Sequence, residues 1–570
     1  MIKRIKIGTG SCGLAAGAAE VYDFFKQNIT DIDIIGVGCI GHCYAEPLVE
    51  VETDQGSVYF EKVEPKQVFI NKILNLEKSS RLGLRPERSD RELIKITKLA
   101  GRIDPISIDE YFENGGYDAL KKALIMQPID VVNEVKTSGL RGRGGAGFFT
   151  GMKWGFLHAQ KTTEKVLICN ADEGDPGAFM DRSMMESVPH QILEGMLIAA
   201  HATGATQIFI YCRAEYPLAI KHLKIAIKQI IEHGLNKING RDITIKIKEG
   251  AGAFVCGEET AMIHSLEGSR GTPRFRPPYP TDSGFKGLPT MINNVETFAN
   301  IPIIIKEGGE EFAKVGTANS KGTKLFALAG DLKYPGLVEV PMGITLGEVV
   351  YEIGGVEKGD IKAVQIGGPS GGCIPFDHFD VQIDYDSLKS LGAIMGSGGL
   401  IFIGNNRCMV ETARYFLDFT ARESCGKCTF CRVGTKRMLE TLEKITAGDG
   451  HLKDIEFLQS LGQKIIKGSL CGLGQSAPNP VLTTLRYYRN EYEQHVNNKQ
   501  CDALVCNALV NVYLNQDKCI ECGLCIKNCP VDAISDDYVV NNEICTRCNS
   551  CIEVCPKNAI ERIVGGNVSA

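Results

Sequence analysis

The chain of 570 residues lacks several features that mark large classes of proteins. It has one Trp, aromatic residues make up only 7%, and 63 Lys plus Arg are outnumbered by 69 Asp plus Glu. Because there is no basic excess, we expect no nucleic-acid partner. No apolar run approaches the roughly 18 residues of a membrane-spanning helix, and no export signal precedes the first apolar strand. The composition therefore predicts a cytoplasmic protein with no integral membrane segment.

Cysteine, in contrast, is abundant, with 22 copies, and near the C-terminus its spacing is regular. Two runs with the spacing Cys-x2-Cys-x2-Cys-x3-Cys-Pro follow each other from residue 519 onward. In two-cluster ferredoxins, three thiolates of such a run bind one [4Fe–4S] cube and the fourth binds the other cube. Zinc ribbons and disulfides are the alternatives. The runs predict one cube on Cys519, Cys522, Cys525 and Cys555, and a second on Cys529, Cys545, Cys548 and Cys551.

A further cluster motif lies in a region of helical periodicity upstream. Cys425, Cys428 and Cys431 form one Cys-x2-Cys-x2-Cys turn, and Cys471 follows 40 residues later. Three close thiolates with one remote thiolate are typical of a third [4Fe–4S] site, with zinc as the alternative. Five other cysteines lack ligand spacing, and we expect them to be small buried side chains: Cys169, Cys212, Cys256, Cys373 and Cys408.

The order of strand-like and helix-like segments predicts a multidomain α/β and α+β protein. Strands at 166–169 and 207–211 alternate with helices at 189–203 and 216–233, which is typical of an α/β domain. The charged segment 78–102 predicts a linker. The expected regions are an α/β unit at 1–80, an α/β domain at 105–319, a β-rich module at 320–405, a helical bundle at 406–498, and a hinge with a ferredoxin-type tail at 499–570.

Glycine and acidic residues concentrate in three loops of the 105–319 region. Residues 139–151 contain six glycines, and such loops let backbone N–H groups approach a phosphate or a flat ring. The segment formally matches the dinucleotide fingerprint, but the residues before it predict a helix where that fingerprint follows a strand. Segments 167–177 and 250–260 combine a close backbone with paired acids. Their co-occurrence favours a nucleotide site over three solvated turns.

Taken together, these motifs resemble the NADH-oxidising flavoprotein subunit of respiratory complex I. They resemble more closely the beta subunits of electron-bifurcating [FeFe]-hydrogenases and related NAD-linked complexes. The resemblance implies a thioredoxin-like domain at 1–80, an FMN- and NAD(H)-binding domain at 105–319 and a ubiquitin-like β-grasp module at 320–405. The bundle at 406–498 and the ferredoxin domain at 499–570 would follow. The matching segments are 139–148, 170–177, 256–260, 292–297 and 423–432.

The resemblance also implies roles for individual residues. Glu259 and Glu173 are the expected catalytic groups. Asp175 is expected to meet the 2′-hydroxyl of the nucleotide and to repel a 2′-phosphate, which favours NADH over NADPH. The implied FMN set is Gly142, Arg143, Gly144, Lys153, Asn170, Asp172, Glu173, Gly257, Glu258, Asn293, Asn294 and Thr297. The implied NAD(H) set is Gly145, Ala146, Phe148, Phe156, Asp175, Glu259 and Tyr279, whose aromatic members could instead belong to the core.

Three positions depart from the family pattern or leave alternatives open. The thioredoxin-like [2Fe–2S] domain uses four cysteines, but here Cys12, Cys39 and Cys43 lack a fourth, because Ile7 stands at its position. A [2Fe–2S] cluster and a cluster-free scaffold both remain open. Phe149 replaces a common Pro. By resemblance, His495, Cys501 and Cys506 could bind zinc with a fourth ligand not apparent, or be two free thiols and a surface His.

The implied activity is NADH oxidation by FMN, with electrons passed singly to iron–sulfur clusters. The extra ferredoxin-type tail favours electron bifurcation among NAD(H), ferredoxin and a third couple: H2, formate or NADPH. The alternatives are a non-bifurcating diaphorase subunit and a non-catalytic electron-relay subunit. Expected partners are ferredoxin, a small [2Fe–2S] subunit, and a hydrogenase, formate dehydrogenase or NADP(H)-binding flavoprotein. Expected cofactors are FMN, NAD(H), three [4Fe–4S] clusters, and, with the alternatives above, [2Fe–2S] and Zn²⁺.

Overall fold

The computed structural model describes residues 1–77 and 89–565. The chain forms two compact units, one from Met1 to Phe402 and the other from Ile403 onward. Residues 78–88 of the predicted linker, and with them the boundary expected at residue 80, lie outside the described residues. The domain limits expected from the sequence stay predictions.

The N-terminal lobe, residues 2–74, is a four-stranded sheet with helices. Its strand order is β2-β1-β3-β4, in which β1 and β2 are parallel and the other pairs are antiparallel. Ile5, Ile7 and Phe25 are in its core. The elements are β1 (Ile2–Gly8), α1 (Ser11–Ala15), α2 (Ala18–Asn28), β2 (Asp33–Val37), β3 (Val49–Thr53), β4 (Gly56–Phe60) and α3 (Gln67–Leu74).

The next lobe, residues 89–312, is built on a parallel sheet of order β10-β5-β6-β9. The sheet elements are β5 (Val166–Ala171), β6 (Gln207–Arg213), β9 (Thr244–Gly250) and β10 (Thr290–Asn294), and β7 (Lys237–Ile238) pairs with β8 (Arg241–Asp242). The helices are α4 (Ile108–Glu113), α5 (Asp118–Ile125), α6 (Pro128–Thr137), α7 (Thr150–Ala159), α8 (Met180–Ser187), α9 (Pro189–Thr203), α10 (Pro217–Glu232), α11 (Glu259–Leu266), α12 (Val295–Glu307) and α13 (Gly309–Phe312).

The core of this lobe explains why its strands are continuous apolar runs. Helices cover the sheet, so β5 is buried along almost its whole length, as parallel strands usually are. Every residue of α9 is buried. A segment predicted as linker also belongs here: Ile96 is fully buried in this core. Its backbone N–H and those of Lys95 and Thr97 donate to the buried Glu339 carboxylate at 2.9–3.0 Å, so residues 95–97 are part of the fold and not a free tether.

The third part of the first unit is a mixed five-stranded sheet of order β12-β11-β15-β13-β14, called here the central module. Leu328, Val350 and Phe402 are buried in its core. Its one π-helical turn among the described residues is Glu348–Ile353. The other elements are β11 (Thr323–Gly330), β12 (Gly336–Pro341), β13 (Ile361–Ile366), β14 (Gly372–Pro375), α14 (Tyr385–Ser390) and β15 (Gly399–Gly404).

The second unit consists of a helical bundle and a small two-stranded tail. Met438, Leu458 and Val481 pack in the bundle core. Across residues 1–77 and 89–565, no helix combines the length and the apolar character needed to cross a bilayer. The elements are α15 (Met409–Arg422), α16 (Thr429–Thr446), α17 (Leu452–Gly468), α18 (Gly472–Ser476), α19 (Asn479–Tyr487), α20 (Arg489–Glu493), the π-helical turn Gln494–Asn498, β16 (Val510–Leu514), α21 (Leu524–Lys527), α22 (Ser550–Glu553) and β17 (Ile560–Val564).

Candidate functional site

The parallel sheet brings the predicted polar residues together at the carboxyl ends of the neighbouring strands β5 and β10. The chain runs outward from β5 through β6 to β9 and then returns to β10 on the other side of β5. Ligands of such sheets bind at the carboxyl ends of the strands where the order reverses. Asn170 at the end of β5 lies directly opposite Asn294 at the end of β10. The loops from Asp172 and from Asn294 therefore start side by side at the expected binding position.

The glycine-rich loop precedes α7 and is closed like a hairpin. The N–H of Gly142 donates to the C=O of Phe148 (2.8 Å), and the N–H of Thr150 donates to the C=O of Leu140 (2.9 Å). Gly147 has φ +63, and a Cβ there would lie 2.6 Å from the Tyr385 ring, so only glycine fits. The helix α6 precedes this loop, which confirms that the loop is not a strand-to-helix dinucleotide turn.

Tyr385, from the central module, holds this loop, and sequence reasoning missed it. Its hydroxyl donates to the C=O of Gly142 at 2.8 Å. The guanidinium of Arg141 lies 4.3 Å from the centre of its ring. Lys324, also in the module and fully buried, donates to the C=O of Ser397 (2.6 Å) and to Glu296 (2.8 Å). No motif in the sequence marks either residue, because both act from a module that carries none of the cluster or nucleotide motifs.

The residues present fit a flavin phosphate and ring. A Cβ at Gly142 would meet only the Phe148 carbonyl at 3.6 Å, and a Cβ at Gly257 would meet only Asp172 at 3.5 Å or beyond. Both backbones thus leave room for a ligand to approach closely. Asn170 bridges the two loops, because its side-chain N–H donates to the C=O of Gly257 at 2.9 Å and its Oδ1 accepts from the N–H of Asp172 at 3.1 Å.

Lys153 and Glu259 form an ion pair in the same region. The Lys153 ammonium donates to the Glu259 carboxylate and to the C=O of Ile292, the latter at 3.1 Å. Arg276 pairs with Glu258 and approaches Glu259 to 3.6 Å. Burial alone would raise the pKa of Glu259, but Lys153 and Arg276 outweigh it and hold that pKa below its usual range. The partly exposed pair can therefore present both signs of charge to a bound nucleotide.

Several residues of the implied FMN set brace the site instead of facing it. Arg143 is fully buried, and its guanidinium donates to the C=O of Lys321 (2.6 Å) and of Thr323 (2.9 Å). The backbone N–H of Arg143 donates to the Thr297 hydroxyl at 2.9 Å. The Asn293 Oδ1 accepts from the indole of the buried Trp154 at 3.1 Å. These side chains fix the loop, and in this structure they are committed to protein partners.

Glu258, Glu173 and Asn294, also of the implied FMN set, are likewise hydrogen-bonded to other groups of the protein. Glu258 caps α11, accepting from the N–H of Thr260 (3.0 Å) and Ala261 (2.9 Å). Glu173 is buried and accepts from the N–H of Asp181 and Arg182, both at 3.0 Å, while burial raises its pKa. Asn294 caps α12 and donates to Asp181 at 2.5 Å. A proton-transfer role for Glu173 stays a prediction, since both carboxylate oxygens are engaged here.

The aromatic residues of the implied NAD(H) set are at the surface. Phe148, Phe156 and Tyr279 are 46%, 50% and 53% exposed, which excludes the core alternative. The Phe148 and Phe156 rings lie 6.4 Å apart. Gly144 and Ala146 are exposed beside them, whereas a Cβ added at Gly145 would lie 3.1–3.4 Å from the Gly396 backbone. Exposed aromatic faces beside an open glycine loop suit the stacking of a base or a nicotinamide ring.

In the tail, the two cysteine runs surround two separate cavities. The first is lined by Cys519, Cys522, Cys525 and Cys555. The second is lined by Cys529, Cys545, Cys548 and Cys551. Each cavity therefore combines three thiols of one run with the last thiol of the other, which is the sharing that two cubes need.

The bundle brings its own four cysteines to one end. Cys428 and Cys471 precede α16 and α18, and a Cβ at Gly474 would lie 3.0 Å from the Cβ of Cys431. Burial raises the pKa of Cys431 to about 11, with the Ser424 hydroxyl acting against it and the other three thiols adding to it. Four cysteines gathered at one end of the bundle suit a [4Fe–4S] cube, which binds thiolates.

Cys408 lies where it could supply the fourth ligand of the site expected on His495, Cys501 and Cys506. The four ligand atoms lie within 4.8 Å of one another and all four residues are buried. The Cys408 Sγ lies 3.4 Å from the His495 Nε2 and 3.8 Å from the Cys506 Sγ, and the edges of a zinc tetrahedron measure about 3.5 to 3.8 Å. Cys169, Cys212, Cys256, Cys373 and Cys408 are all buried as predicted, and Cys408 in addition lies among the candidate metal ligands.

The imidazole of this site is oriented for metal binding. The His495 Nδ1–H donates to the C=O of Glu491 at 2.7 Å, which leaves Nε2 facing the thiols. A hydrogen bond on the other ring nitrogen is the usual support of a metal-bound imidazole. The alternative of a surface His is excluded, since His495 is only 2% exposed. The donor set of three thiols and one imidazole fits structural zinc.

The N-terminal lobe does not complete a [2Fe–2S] site. Cys12 and Cys43 are in contact, with their Sγ atoms 3.5 Å apart, and Cys39 is buried beside them. Ile7, at the place of the missing cysteine, is fully buried in the core of the lobe. Since [2Fe–2S] clusters of this type take four cysteine thiolates, the residues present do not fit one.

Comparison with known families adds independent findings. Residues 135–303 match the Nuo51 FMN-binding domain, residues 411–495 match the NADH-ubiquinone oxidoreductase-F iron-sulfur binding region, and residues 512–535 and 538–561 match a 4Fe-4S binding domain. The NADP-reducing hydrogenase subunit HndC of Solidesulfovibrio fructosivorans is 53% identical over 451 residues, which cover 78% of this chain and 92% of HndC. The chain belongs to the family of the complex I flavoprotein subunits.

Two further members or neighbours of this flavoprotein family show how far the likeness extends. An NADH-quinone oxidoreductase subunit of Rhizobium meliloti (strain 1021) is 44% identical over 69% of this chain and 95% of its own length. The crystal structure of an NAD+-reducing [NiFe]-hydrogenase in the H2-reduced state matches with a TM-score of 0.65 and 31% identity, over 87% of this chain and 84% of that chain. The expected resemblance is confirmed, and the chain is a flavin and iron–sulfur oxidoreductase subunit of a multisubunit complex.

Proposed function

We propose that this flavoprotein subunit oxidises NADH within an electron-bifurcating complex that couples NAD(H), ferredoxin and a third couple, H2, formate or NADPH. The observation that carries the proposal is the combination, in one chain, of the switch-point site with an exposed aromatic mouth and a tail whose eight cysteines surround two cavities. A plain NADH dehydrogenase subunit has no need for the tail. A cytoplasmic location, and the partners expected from the sequence, belong to the same proposal.

When bound, FMN supplies the exchange between a two-electron hydride and single electrons, and the clusters supply one-electron sites. The chain's own residues bind and orient the reactants. Asn170 and the loops at Gly142 and Gly257 hold the flavin position. Phe148, Phe156 and Tyr279 would cover the nucleotide and exclude water from it. The paired charges of Lys153 and Glu259 would fix phosphate and ribose groups.

Lys153 offers the direct test of this activity. Replacing it by Met removes the ammonium that contacts Glu259 and Ile292, so the kcat/KM for NADH should fall by about 10- to 150-fold, the effect of one hydrogen bond to a charged group. The measurement is anaerobic NADH-dependent reduction of ferricyanide, with extracted flavin quantified. Lys161→Met, at an exposed lysine beyond α7, is the matched control and should leave the rate unchanged. Colourless extracts and no NADH oxidation by the unmodified chain would assign it to the relay class instead.

Asp175 is the residue expected to decide between NADH and NADPH. The choice is open to test because the similar protein HndC is named as a subunit of an NADP-reducing hydrogenase. Its carboxylate accepts from the Ser397 hydroxyl at 2.6 Å. Burial raises the pKa of Asp175 to about 6, although Ser397 acts against the shift. The negative charge that repels a 2′-phosphate is therefore present above pH 6 and is lost as the pH falls below it.

The preference for NADH over NADPH should accordingly be larger at about pH 7.5 than at about pH 5. Asp175→Asn should reduce the preference by about 10- to 150-fold at the higher pH and make it nearly independent of pH. The measurement is the ratio of kcat/KM for the two nucleotides. Equal use of NADPH by the unmodified protein at neutral pH would contradict the role of Asp175.

A second candidate function is supported by the structural neighbour. An NAD+-reducing [NiFe]-hydrogenase matches most of this chain. A non-bifurcating NADH diaphorase subunit of a hydrogenase would use the same nucleotide site. The two functions differ in whether turnover of the complex requires ferredoxin, and removing the tail is the experiment that distinguishes them.

A further inference from the structure

The thiols of the N-terminal lobe form a chemical group that the proposed function does not use. Cys12 lies in α1 and Cys43 opens the turn Cys43–Ala45, and the Cys43 thiol donates to the Cys12 Sγ at 3.5 Å. Both side chains are partly exposed, whereas Cys39 is 7% exposed and its Sγ accepts from the N–H of Gly41 at 3.2 Å. Two thiols in contact at a surface, without a full cluster ligand set, are able to react as a pair.

The surroundings favour reaction at Cys12. The Arg182 guanidinium, from α8 of the neighbouring lobe, lies 3.8 Å from the Cys12 Sγ. A cation and a thiol donor beside a cysteine favour its thiolate, the form that attacks disulfides. Glu186 lies on the same helix but is engaged by the N–H and hydroxyl of Ser11, at 2.9 and 2.5 Å. Closing a bond between Cys12 and Cys43 requires their sulfurs to approach by about 1.5 Å.

We propose that Cys12 and Cys43 are a redox-active dithiol that exchanges with low-molecular-weight disulfides of the glutathione type. The Cys12 thiolate attacks one sulfur of the disulfide R–S–S–R, forming a mixed disulfide with Cys12 and releasing one RS⁻, which takes up a proton. The Cys43 thiol then loses its proton and attacks the Cys12 sulfur, forming the Cys12–Cys43 disulfide and releasing the second thiol. The pair gives up two electrons and two protons, and the external disulfide is reduced to two R–SH.

This exchange site is linked to the flavin lobe through Arg182. The backbone N–H of Arg182 donates to the buried Glu173 carboxylate at 3.0 Å, and Glu173 follows β5 in the acidic loop of the nucleotide site. Oxidation replaces the thiolate facing Arg182 by a neutral disulfide sulfur. Arg182 is thus the single residue between the thiol pair and Glu173 of the acidic loop, and the exchange itself needs no flavin.

The test uses the full chain, kept anaerobic so that cluster cysteines stay protected. Samples are equilibrated with glutathione and glutathione disulfide in varying ratios, quenched with acid, and mapped by differential alkylation and peptide mass spectrometry. We expect a Cys12–Cys43 disulfide. Its ratio to the reduced dithiol should rise in proportion to the concentration of glutathione disulfide divided by the square of the concentration of glutathione. Cys43→Ser should instead retain one glutathionyl group on Cys12. Cys39→Ser should leave the disulfide intact.

Two results would overturn the proposal. In the first, Cys12 and Cys43 stay as unoxidised as the buried Cys212 and Cys373 at every glutathione ratio. In the second, Cys12→Ser lowers the iron content by two atoms per chain, which would assign the thiols to a cluster after all. Cys43→Ser is the second variant if Cys12→Ser does not fold. None of these readouts depends on NADH turnover, so failure here is distinct from failure of the proposed function.

Discussion

Replacing Cys408 by Ser should abolish the zinc binding that we expect in the second unit, while the iron content stays the same. Cys408 contributes one of three thiols to a buried set in which His495 supplies the only nitrogen. A structural zinc site with one thiolate missing is open to water and binds weakly, because such sites are normally closed and four-coordinate. Structural zinc stabilises small domains by about 10 to 16 kcal/mol, so the protein should also unfold at a lower temperature. Metal analysis and thermal unfolding are the measurements.

The matched control for this variant is Cys373→Ser, which changes a buried cysteine of the central module outside the ligand set. It should keep its zinc. If the Cys408 variant keeps a full equivalent of zinc, or if the unmodified chain with intact clusters contains none, the assignment of this site to zinc is wrong.

Ending the chain after residue 510 should abolish ferredoxin-dependent turnover of the complex and leave NADH-dependent ferricyanide reduction intact. This end point keeps Cys501 and Cys506, and also Leu509 and Val510, which pack in the bundle core. It deletes all eight cysteines of the tail. A shorter chain ending at residue 498 would lose two of the zinc ligands and confound the result. Anaerobic assays of the assembled complex with and without ferredoxin make the comparison.

A full-length chain with Cys519→Ser and Cys545→Ser is the matched control for the truncation. It keeps β16 and β17 but removes one thiol from each cavity. It should behave like the truncated chain. If ferredoxin-dependent turnover survives in either protein, the tail has no part in that reaction and the diaphorase function is favoured.

Local patterns predicted most of the elements and the thiol groups. The helix expected at 189–203 is α9, and the strand expected at 166–169 extends by two residues. Three of the four thiols of each cluster motif come from a single turn, so spacing alone indicates them. Cys408 could not be found this way because 87 residues separate it from His495. Only the packing of α15 against the end of the bundle joins them, and the one available signal was a cysteine placed just before a helix.

The roles of individual side chains at the nucleotide site were harder to predict. The motifs place residues such as Arg143 and Glu258 correctly near the loops, but a motif does not say which way a side chain points. Arg143 turns inward because buried carbonyl groups of β11 need donors, and Glu258 turns to the bare N–H groups of α11. Tyr385 carries no motif at all. Such contacts depend on which surfaces meet in the folded chain.

The four-ligand site also has a topological consequence. Cys408 stands just before the first bundle helix, whereas Cys501 and Cys506 stand after the last, so one ion bound here would tie the two ends of the bundle into a ring. By the chain-entropy argument used for cross-links, closing a loop of nearly 100 residues stabilises the folded form by roughly 4 to 5 kcal/mol. The ring needs no iron. A zinc ion bound at this site would therefore hold the first and last segments of the bundle together independently of the iron–sulfur cube.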